Sequence, residues 1–459
     1  MADITPTHKR GNHNDKSNYR AVSILPGLSK VFERLLFYQM HTFVETNLSI
    51  YQCGFRKGYS SQHCLLLLIE KWKKSLDNKK SSGVLLTDLS KAFDCLSHDL
   101  LIAKLHAYGF DYKALQLLNS YLTNRYQRVR INSSYSTWSD IINGVPQGSI
   151  LGPTLFNIYL SDLFLFTKKS DIANYADDNS PYVVDTTIES VMNRLESDTT
   201  TLLNWVSDNS LKANPDKFHL LLSSKNHNLS IKVDERSIKN SESEKLLGIT
   251  IDNALKFDNH VNKLCKKASG KLHALGRVAK YMDVEKRRKI MNAFINSQFS
   301  YCPLVWMFHS RTLNNQINRI HERALRIVYN DKNSSLNQLL FVDESFTIHE
   351  RNIQTLAVEL FKIIHSLSPE IMKDILPLKE KNNYCTNFPF KTRNVHTVTY
   401  GTETISYLGP KIWSLVPDDI KTSSTLLEFK SKIKKWKPIN CPCRLCKIYL
   451  PGIGFIDVT

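Results

Sequence analysis

Apolar residues recur at three- and four-residue intervals from Leu28 to Glu45 (LSKVFERLLFYQMHTFVE), the spacing of one face of an amphipathic helix. From Gly83 to Asp88 (GVLLTD) the pattern changes to a short aliphatic run, which predicts a buried strand. Ser97 then stands before DLLIAKLHAYGF, so a capped helix is expected to stop at Gly109. Arg125 to Trp138 alternates around a polar turn and predicts a hairpin. A second hairpin is expected from Asp171 to Asp185, its turn at Ala176 to Asn179, and helical spacing returns from Ser190 to Val206. Between the hairpins, Asn143 to Pro153 holds three glycines and two prolines, the composition of a loop whose backbone must bend freely. Strands and helices mix without a strict βαβ alternation, so the class predicted is α+β. After Asn253 the chain turns helical. A further helix is expected at Asn315 to Tyr329 and a last one near Leu426 to Lys437, with Pro-, Asn- and Thr-rich sequence following Pro377.

Charge narrows the choice of partner. The 459 residues leave room for about three domains, and 61 Lys and Arg against 43 Asp and Glu give a net charge of +18. Such a surplus favours a polyanion. Nucleic acid suits it better than a membrane, since no apolar run reaches the roughly 18 residues of a spanning helix. Met1 to Asn18 is polar, which predicts no secretory leader and an intracellular, reducing setting in nucleus or cytoplasm. In that setting the scattered Cys53, Cys64, Cys95, Cys265, Cys302 and Cys385 are expected as buried thiols. The six tryptophans (Trp72, Trp138, Trp205, Trp306, Trp413, Trp436) are expected as core anchors, with Trp436, among lysines, equally suited to stacking on a base. Basic charge concentrates from Leu255 to Met291, with 11 Lys or Arg and 3 Asp or Glu. A solvated helix face and a surface that tracks a nucleic-acid backbone both fit; Lys263, Lys266, Lys267 and Lys271 would carry the second.

Three segments carry chemistry. In TDLSKAFD (Thr87 to Asp94), Asp88 ends the predicted strand, where a carboxylate beside an apolar sheet is costly unless it is paired or binds a metal. Asp88 as a helix cap is the plainer alternative. YADD (Tyr175 to Asp178) sets two adjacent carboxylates in a hairpin turn, and hard oxygen ligands near a third suit Mg²⁺ better than a softer metal. Between them lies GVPQGSILGP (Gly144 to Pro153), a loop with room for a nucleotide against its backbone.

In this order the three segments resemble the reverse transcriptases of non-LTR (LINE-type) retrotransposons, especially jockey-like animal elements. NYRAVSILPGLSKVFER (Asn18 to Arg34), CGFRKGYSS (Cys53 to Ser61), LKANPDK (Leu211 to Lys217) and KLLGITID (Lys245 to Asp252) extend the likeness over roughly residues 5 to 330. Ala21 and Lys57 stand where the family commonly has proline, and Asn179 where it has a small residue such as threonine. The resemblance implies a right-hand polymerase: fingers over 1–82, palm over 83–253, helical thumb over 254–376 and a C-terminal region over 377–459. It implies an RNA-directed DNA polymerase extending a primer 3′-hydroxyl by two-metal nucleotidyl transfer. Its partners would be an RNA template, a DNA primer and dNTPs. Two Mg²⁺ ions, with Mn²⁺ as a substitute, would be held by Asp88, Asp177, Asp178 and the Leu89 carbonyl. Arg56, with Lys57 beside it, would meet the triphosphate; Phe93, Gln147 and Gly148 would meet the nucleotide. Lys217 would donate a proton to pyrophosphate, and Gly248 would admit the primer backbone. The same resemblance implies an N-terminally truncated chain lacking the endonuclease of full elements, which would be supplied elsewhere. A catalytically inactive remnant that only binds nucleic acid is the alternative.

The tail CPCRLC brings Cys441, Cys443 and Cys446 close together, a spacing able to contribute to a Zn²⁺ site, though His396, 45 residues earlier, is remote as a fourth ligand.

Overall fold

The computed structural model describes residues 1–9, 11–379, 389–450 and 454–457. The chain begins with β1 (Ala2–His8), β2 (Tyr19–Ile24), α1 (Gly27–Asn47) and α2 (Ser61–Asp77). It continues through β3 (Ser81–Leu86), α3 (Ala92–Cys95), α4 (His98–Ala107), α5 (Tyr112–Leu122), β4 (Tyr126–Ile131), β5 (Ser134–Tyr135) and β6 (Ser139–Asp140). Next come α6 (Gly152–Leu160), α7 (Leu163–Phe166), β7 (Asp171–Tyr175), β8 (Asp178–Asp185), α8 (Ile188–Asp208) and β9 (His219–Leu222). Two hairpins follow, β10 (Ser230–Val233) with β11 (Arg236–Lys239) and β12 (Ser243–Leu246) with β13 (Ile249–Asp252). The helical part holds α9 (Asp258–Val278), α10 (Val284–Ile290), α11 (Pro303–Trp306), α12 (Arg311–Tyr329), α13 (Leu336–Val342), α14 (Ile348–Ile364) and α15 (Ile371–Ile375). It closes with α16 (Ile405–Leu415), α17 (Asp418–Lys421) and α18 (Leu426–Ile433), before the hairpin β14 (Lys447–Leu450) and β15 (Gly454–Asp457).

The α+β class stands. A four-stranded antiparallel sheet in the order β7-β8-β3-β9 forms the centre. Its strands are apolar on both faces because helices cover both: α8 lies with Val183, Leu220 and Leu222 on one side, and α2 with Val84, Ala173 and Leu221 on the other. A second sheet, β2-β1-β4-β5 with β6 on β4, stands apart. Its strand β1 has no counterpart in the sequence reading, because only Ala2 and Ile4 of the seven residues are buried, too few for an alternating signal.

Several boundaries move. β3 begins at Ser81 and ends at Leu86, so Asp88 lies just beyond the strand. Tyr175 pairs with Asp178, which narrows the expected turn to Ala176 and Asp177 and puts Asp178 and Asn179 in β8. Ala176 takes the left-handed conformation (φ 59°) that so tight a turn demands. The last basic helix ends at Ile433, since the lysines after it have no apolar residue to bury until Trp436. Trp138 is not a core anchor: it is 41% exposed, and the Arg128 guanidinium lies 4.5 Å over its ring. Trp72, Trp205, Trp306 and Trp413 are buried. Cys53, Cys64, Cys265 and Cys302 are buried free thiols and Cys95 is half-buried, while Cys385 lies outside the described residues.

One apolar core runs from Trp72 of α2 through Trp306 and Phe361 to Phe429 and Cys441. Boundaries at 82, 253 and 376 therefore cut across shared packing, and the buried apolar residues described after 377, from Phe390 to Leu445, belong to this same core.

Candidate active site

Beyond the end of β3 the backbone keeps its partner. Both the amide and the hydroxyl of Thr87 donate to the Asn179 carbonyl, at 3.2 and 2.7 Å. Asp88 is thereby held beside the β7–β8 turn that carries Asp177 and Asp178. On its other side the Asp88 carbonyl accepts from the Asn214 amide at 3.0 Å, and Leu89, its side chain buried, bridges Ala213. This second tie draws in the NPDK turn, whose Lys217 places Nζ 2.9 Å from Asp88 Oδ2. Asp88, Asp177, Asp178 and Lys217 thus meet at one end of the central sheet.

Their electrostatics are unfavourable as they stand. Burial, then the charges of Asp177 and Asp88, pushes the Asp178 carboxyl up to about 6. A hard cation would relieve that repulsion, and three carboxylates are the donor set that Mg²⁺ takes. Asp177 is exposed, with its carbonyl accepting from Asn179 Nδ2 at 3.4 Å. Asn179 is buried, and its Oδ1 accepts from Asn174 Nδ2 at 2.8 Å across the hairpin.

The CGFRKG segment docks directly on this turn. The Cys53 amide donates to the Asn174 carbonyl at 3.1 Å. A Cβ on Gly54 would stand 2.1 Å from the Ala176 backbone nitrogen, so glycine alone permits the approach. Arg56 differs from expectation. Its side chain is only 5% exposed, paired with Glu45 at 2.9 Å and donating to the Ser49 and Gln52 carbonyls. In this structure its guanidinium is a strut of the loop, not a group free for a triphosphate. Lys57, next in sequence, is exposed.

Phe93 lies on α3, stacked on Phe156 at 4.4 Å and edge-on to Phe55 at 5.6 Å. Phe55, missed by the sequence reading, joins the docked loop to this ring. Gln147 Nε2 donates to Asp94 Oδ1 at 2.9 Å, and the Val145 amide donates to the Phe93 carbonyl, so the glycine-rich loop is laced to α3. The Gln147 carbonyl accepts from the Ser23 amide of β2 at 2.9 Å, which ties the loop to the second sheet. Glu33 of α1, fully buried, accepts from the Ile150 and Leu151 amides at the start of α6 and fixes the loop's far end.

Gly248 (φ +86°) turns the β12–β13 hairpin, and a Cβ there would lie 3.0 Å from the Tyr301 ring. Tyr301 also donates to the Leu247 carbonyl at 2.7 Å, so here the close neighbour that requires glycine is Tyr301. On α9, Lys263 reaches Thr250 Oγ1 of this hairpin at 3.3 Å. Lys263, Lys267 and Lys271 follow each other at four-residue spacing, and Lys266, three residues beyond Lys263, is exposed beside them. Lys271 is half-buried and reaches over the Phe294 ring.

The Cys-rich tail is gathered with a histidine that the sequence reading did not find. The ligand atoms of His349, Cys441, Cys443 and Cys446 all lie within 4.8 Å of one another. His349 stands 94 residues before Cys443. No local spacing could have signalled it, and His396 is engaged elsewhere, its amide donating to Asp77.

The profile of the family described as reverse transcriptase (RNA-dependent DNA polymerase) matches residues 7–251. The chain belongs to that family. Over 345 residues it is 28% identical to a probable RNA-directed DNA polymerase from transposon BS of Drosophila melanogaster, covering 72% of this chain and 38% of that protein. It is 27% identical to the RNA-directed DNA polymerase from mobile element jockey of the same fly, covering 57% of this chain and 30% of that protein. A probable counterpart from transposon X-element is 29% identical over 57% of this chain and 30% of that protein. The chain thus spans between 30% and 38% of the length of these relatives. Among solved structures, apo telomerase from Candida tropicalis is similar at a TM-score of 0.42 and 13% identity, over 80% of this chain and 61% of that one. As in other reverse transcriptases, the fold is that of a right-hand polymerase. Among the described residues no helix is long and apolar enough to cross a membrane.

Proposed function

We propose that the chain is a retrotransposon RNA-directed DNA polymerase that extends a primer 3′-hydroxyl on an RNA template. The observation that carries this reading is the convergence of Asp88, Asp177 and Asp178 at one sheet end, with the half-buried Asp178 carboxyl pushed up by burial and then by the charges of Asp177 and Asp88. Asp88, Asp177 and Asp178, with the Leu89 carbonyl, would hold Mg²⁺; when bound, such ions lower the pKa of the attacking hydroxyl and neutralise the triphosphate. The chain's own residues position the partners. Lys57 meets the triphosphate from a loop that Arg56 and Gly54 hold against the turn. Phe93 supports the sugar, Gln147 and Gly148 line the nucleotide's side of the loop, and Lys217 stands ready to protonate pyrophosphate. Lys263, Lys266, Lys267 and Lys271, with the Gly248 hairpin, follow the duplex backbone.

Fingers, palm, thumb and C-terminal region over 1–82, 83–253, 254–376 and 377–459 name functional parts of one packed body. RNA and dNTPs place the reaction inside the cell, in nucleus or cytoplasm, with a nick supplied by an endonuclease. The inactive alternative has no support, because every carboxylate that the chemistry needs is present and assembled. The test is primer extension on poly(rA) with oligo(dT) by the parent and Asp177→Asn. A neutral amide ligates Mg²⁺ far more weakly than a carboxylate, so extension should be lost while RNA binding stays. Extension by Asp177→Asn at the parent rate would overturn the assignment.

A further inference from the structure

Away from the aspartates, the end of the described chain folds back onto the first turn of α14. That turn is rigid: Thr347 and Glu350 form a reciprocal capping box around its start, and His349 lies within it. The Gln354 side chain, also on α14, donates to the Trp436 carbonyl at 2.8 Å and ties down the approach of the tail. The tail then makes its own turn, with the Cys446 and Lys447 amides both donating to the Cys443 carbonyl at 3.1 Å. This brings together the sulfurs of a C-x-x-C pair (Cys443, Cys446), while Cys441 enters from the preceding stretch of chain. His349 Nε2 lies 3.3 Å from Cys443 Sγ. His349, Cys441 and Cys443 are buried, at 6%, 1% and 1% exposure, and Cys446 is half-buried.

We propose that His349, Cys441, Cys443 and Cys446 form a structural Zn²⁺ site that clasps the C-terminal tail to α14. Bonds of about 2.3 Å to sulfur and 2.0 Å to nitrogen in a tetrahedron set ligand atoms roughly 3.5–3.8 Å apart, and the four atoms here already lie within 4.8 Å. Three soft thiolates and an imidazole select zinc over the hard Mg²⁺ of the aspartate site. Four protein ligands leave no open position, so the site braces structure and does not activate water. Binding converts the three thiols to thiolates, with their protons released to solvent. A disulfide would use only two of the three sulfurs and leave the histidine and the third thiol unexplained. The site is independent of the polymerase reading, since none of its residues belongs to the sheet.

Metal analysis of the full chain, purified under reducing conditions, decides the matter. About one zinc per chain is expected, and Co²⁺ replacing it should give the sulfur-to-cobalt charge-transfer and strong visible bands of a tetrahedral thiolate site. His349→Ala and Cys443→Ser should each lower the retained zinc by about tenfold or more, whereas Cys265→Ser, which removes a buried thiol elsewhere, should not. If the variants fail to fold, the Co²⁺ spectrum of the parent still answers. Less than about 0.1 zinc per chain with no sulfur–cobalt band, or a Cys441–Cys446 disulfide in the reduced preparation, would overturn the proposal.

Discussion

The Asn174–Asn179 pair offers the sharpest test of how the sequence shapes the catalytic turn. Both amides are buried, at 1% and 2% exposure. Asn174 Nδ2 donates to Asn179 Oδ1 at 2.8 Å and to the Ala176 carbonyl at 2.9 Å; Asn179 Nδ2 reaches the Asp177 carbonyl at 3.4 Å. Together they hold both carbonyls of the two-residue turn. Asn174→Ala removes two short hydrogen bonds and strands an oxygen in a dry site, at a cost of about 2–3 kcal/mol. Asn179→Ala removes one short bond and one long one, at about 1–2 kcal/mol. The double variant should cost about 1 kcal/mol less than the sum, because the shared bond is removed only once. Urea midpoints of the four proteins measure that coupling. Single-turnover extension at saturating Mg²⁺ measures the second consequence: with the turn released, Asp177 shifts, and displacements near 1 Å can cost about 10²-fold in rate. Additivity within about 0.3 kcal/mol, or a rate that falls only with the folded fraction, would refute the coupling of turn and chemistry.

Phe93→Val should lower the ratio of kcat/KM for dTTP over UTP by about tenfold or more, with a stability loss of about 1–3 kcal/mol from the space vacated beside Phe156 and Phe55; an unchanged ratio reduces Phe93 to a packing residue. Neutralising Lys263, Lys266, Lys267 and Lys271 to Gln should flatten the slope of log K against log salt by about 0.9 for each phosphate no longer neutralised. An unchanged slope would reduce these lysines to a solvated helix face. Burial raises the Glu359 carboxyl, but His63 and Lys362 together hold it down to about 2. A depressed folded pKa stabilises above the unfolded value of 4.5 and is lost as pH falls toward 2, so the stability gap between the parent and Glu359→Gln should shrink between pH 6 and pH 3. A constant gap in urea midpoints would show that the pairing does not stabilise the fold.

What could be read in advance follows the range of the forces. The α1 and α8 helices and the β7–β8 hairpin were legible because their signals are local: apolar spacing, and a Thr187 cap for α8. The aspartates were legible because their motifs are short and ordered. The ties that assemble them were not. Thr87 bonds to Asn179 across 92 residues, and nothing around either residue announces the other. Arg56 was misjudged for the same reason, since Glu45 faces it from another element and a loop arginine has no local mark of being buried. Glu33 lies in a stretch whose apolar spacing marks only a helix, yet it accepts from the Ile150 amide 117 residues away, just before α6.

The largest such gap is the role of the C-terminal region, which composition alone presents as a loose appendage. α2 lies one layer behind the catalytic sheet and carries three buried charged residues, Glu70, Lys73 and Asp77. In isolation that pattern contradicts a buried helix, since each unpaired charge would cost several kcal/mol. The C-terminal segment supplies their hydrogen-bond partners. Glu70 accepts from the Ile405 and Ser406 amides at 2.9 and 3.1 Å and so caps α16. Lys73 donates to the Glu403 carbonyl at 2.7 Å. Asp77 accepts from the amide and hydroxyl of Thr397, from the His396 amide and from the Arg393 guanidinium. A further link, His63 to Glu359 at 3.2 Å, joins α2 to α14. Removing the chain beyond 376 would therefore strip three buried charges of their partners on the helix that supports β7 and β8, the strands carrying the aspartates. The stability of the sheet that carries Asp177 and Asp178 thus depends on residues more than 200 positions downstream of them.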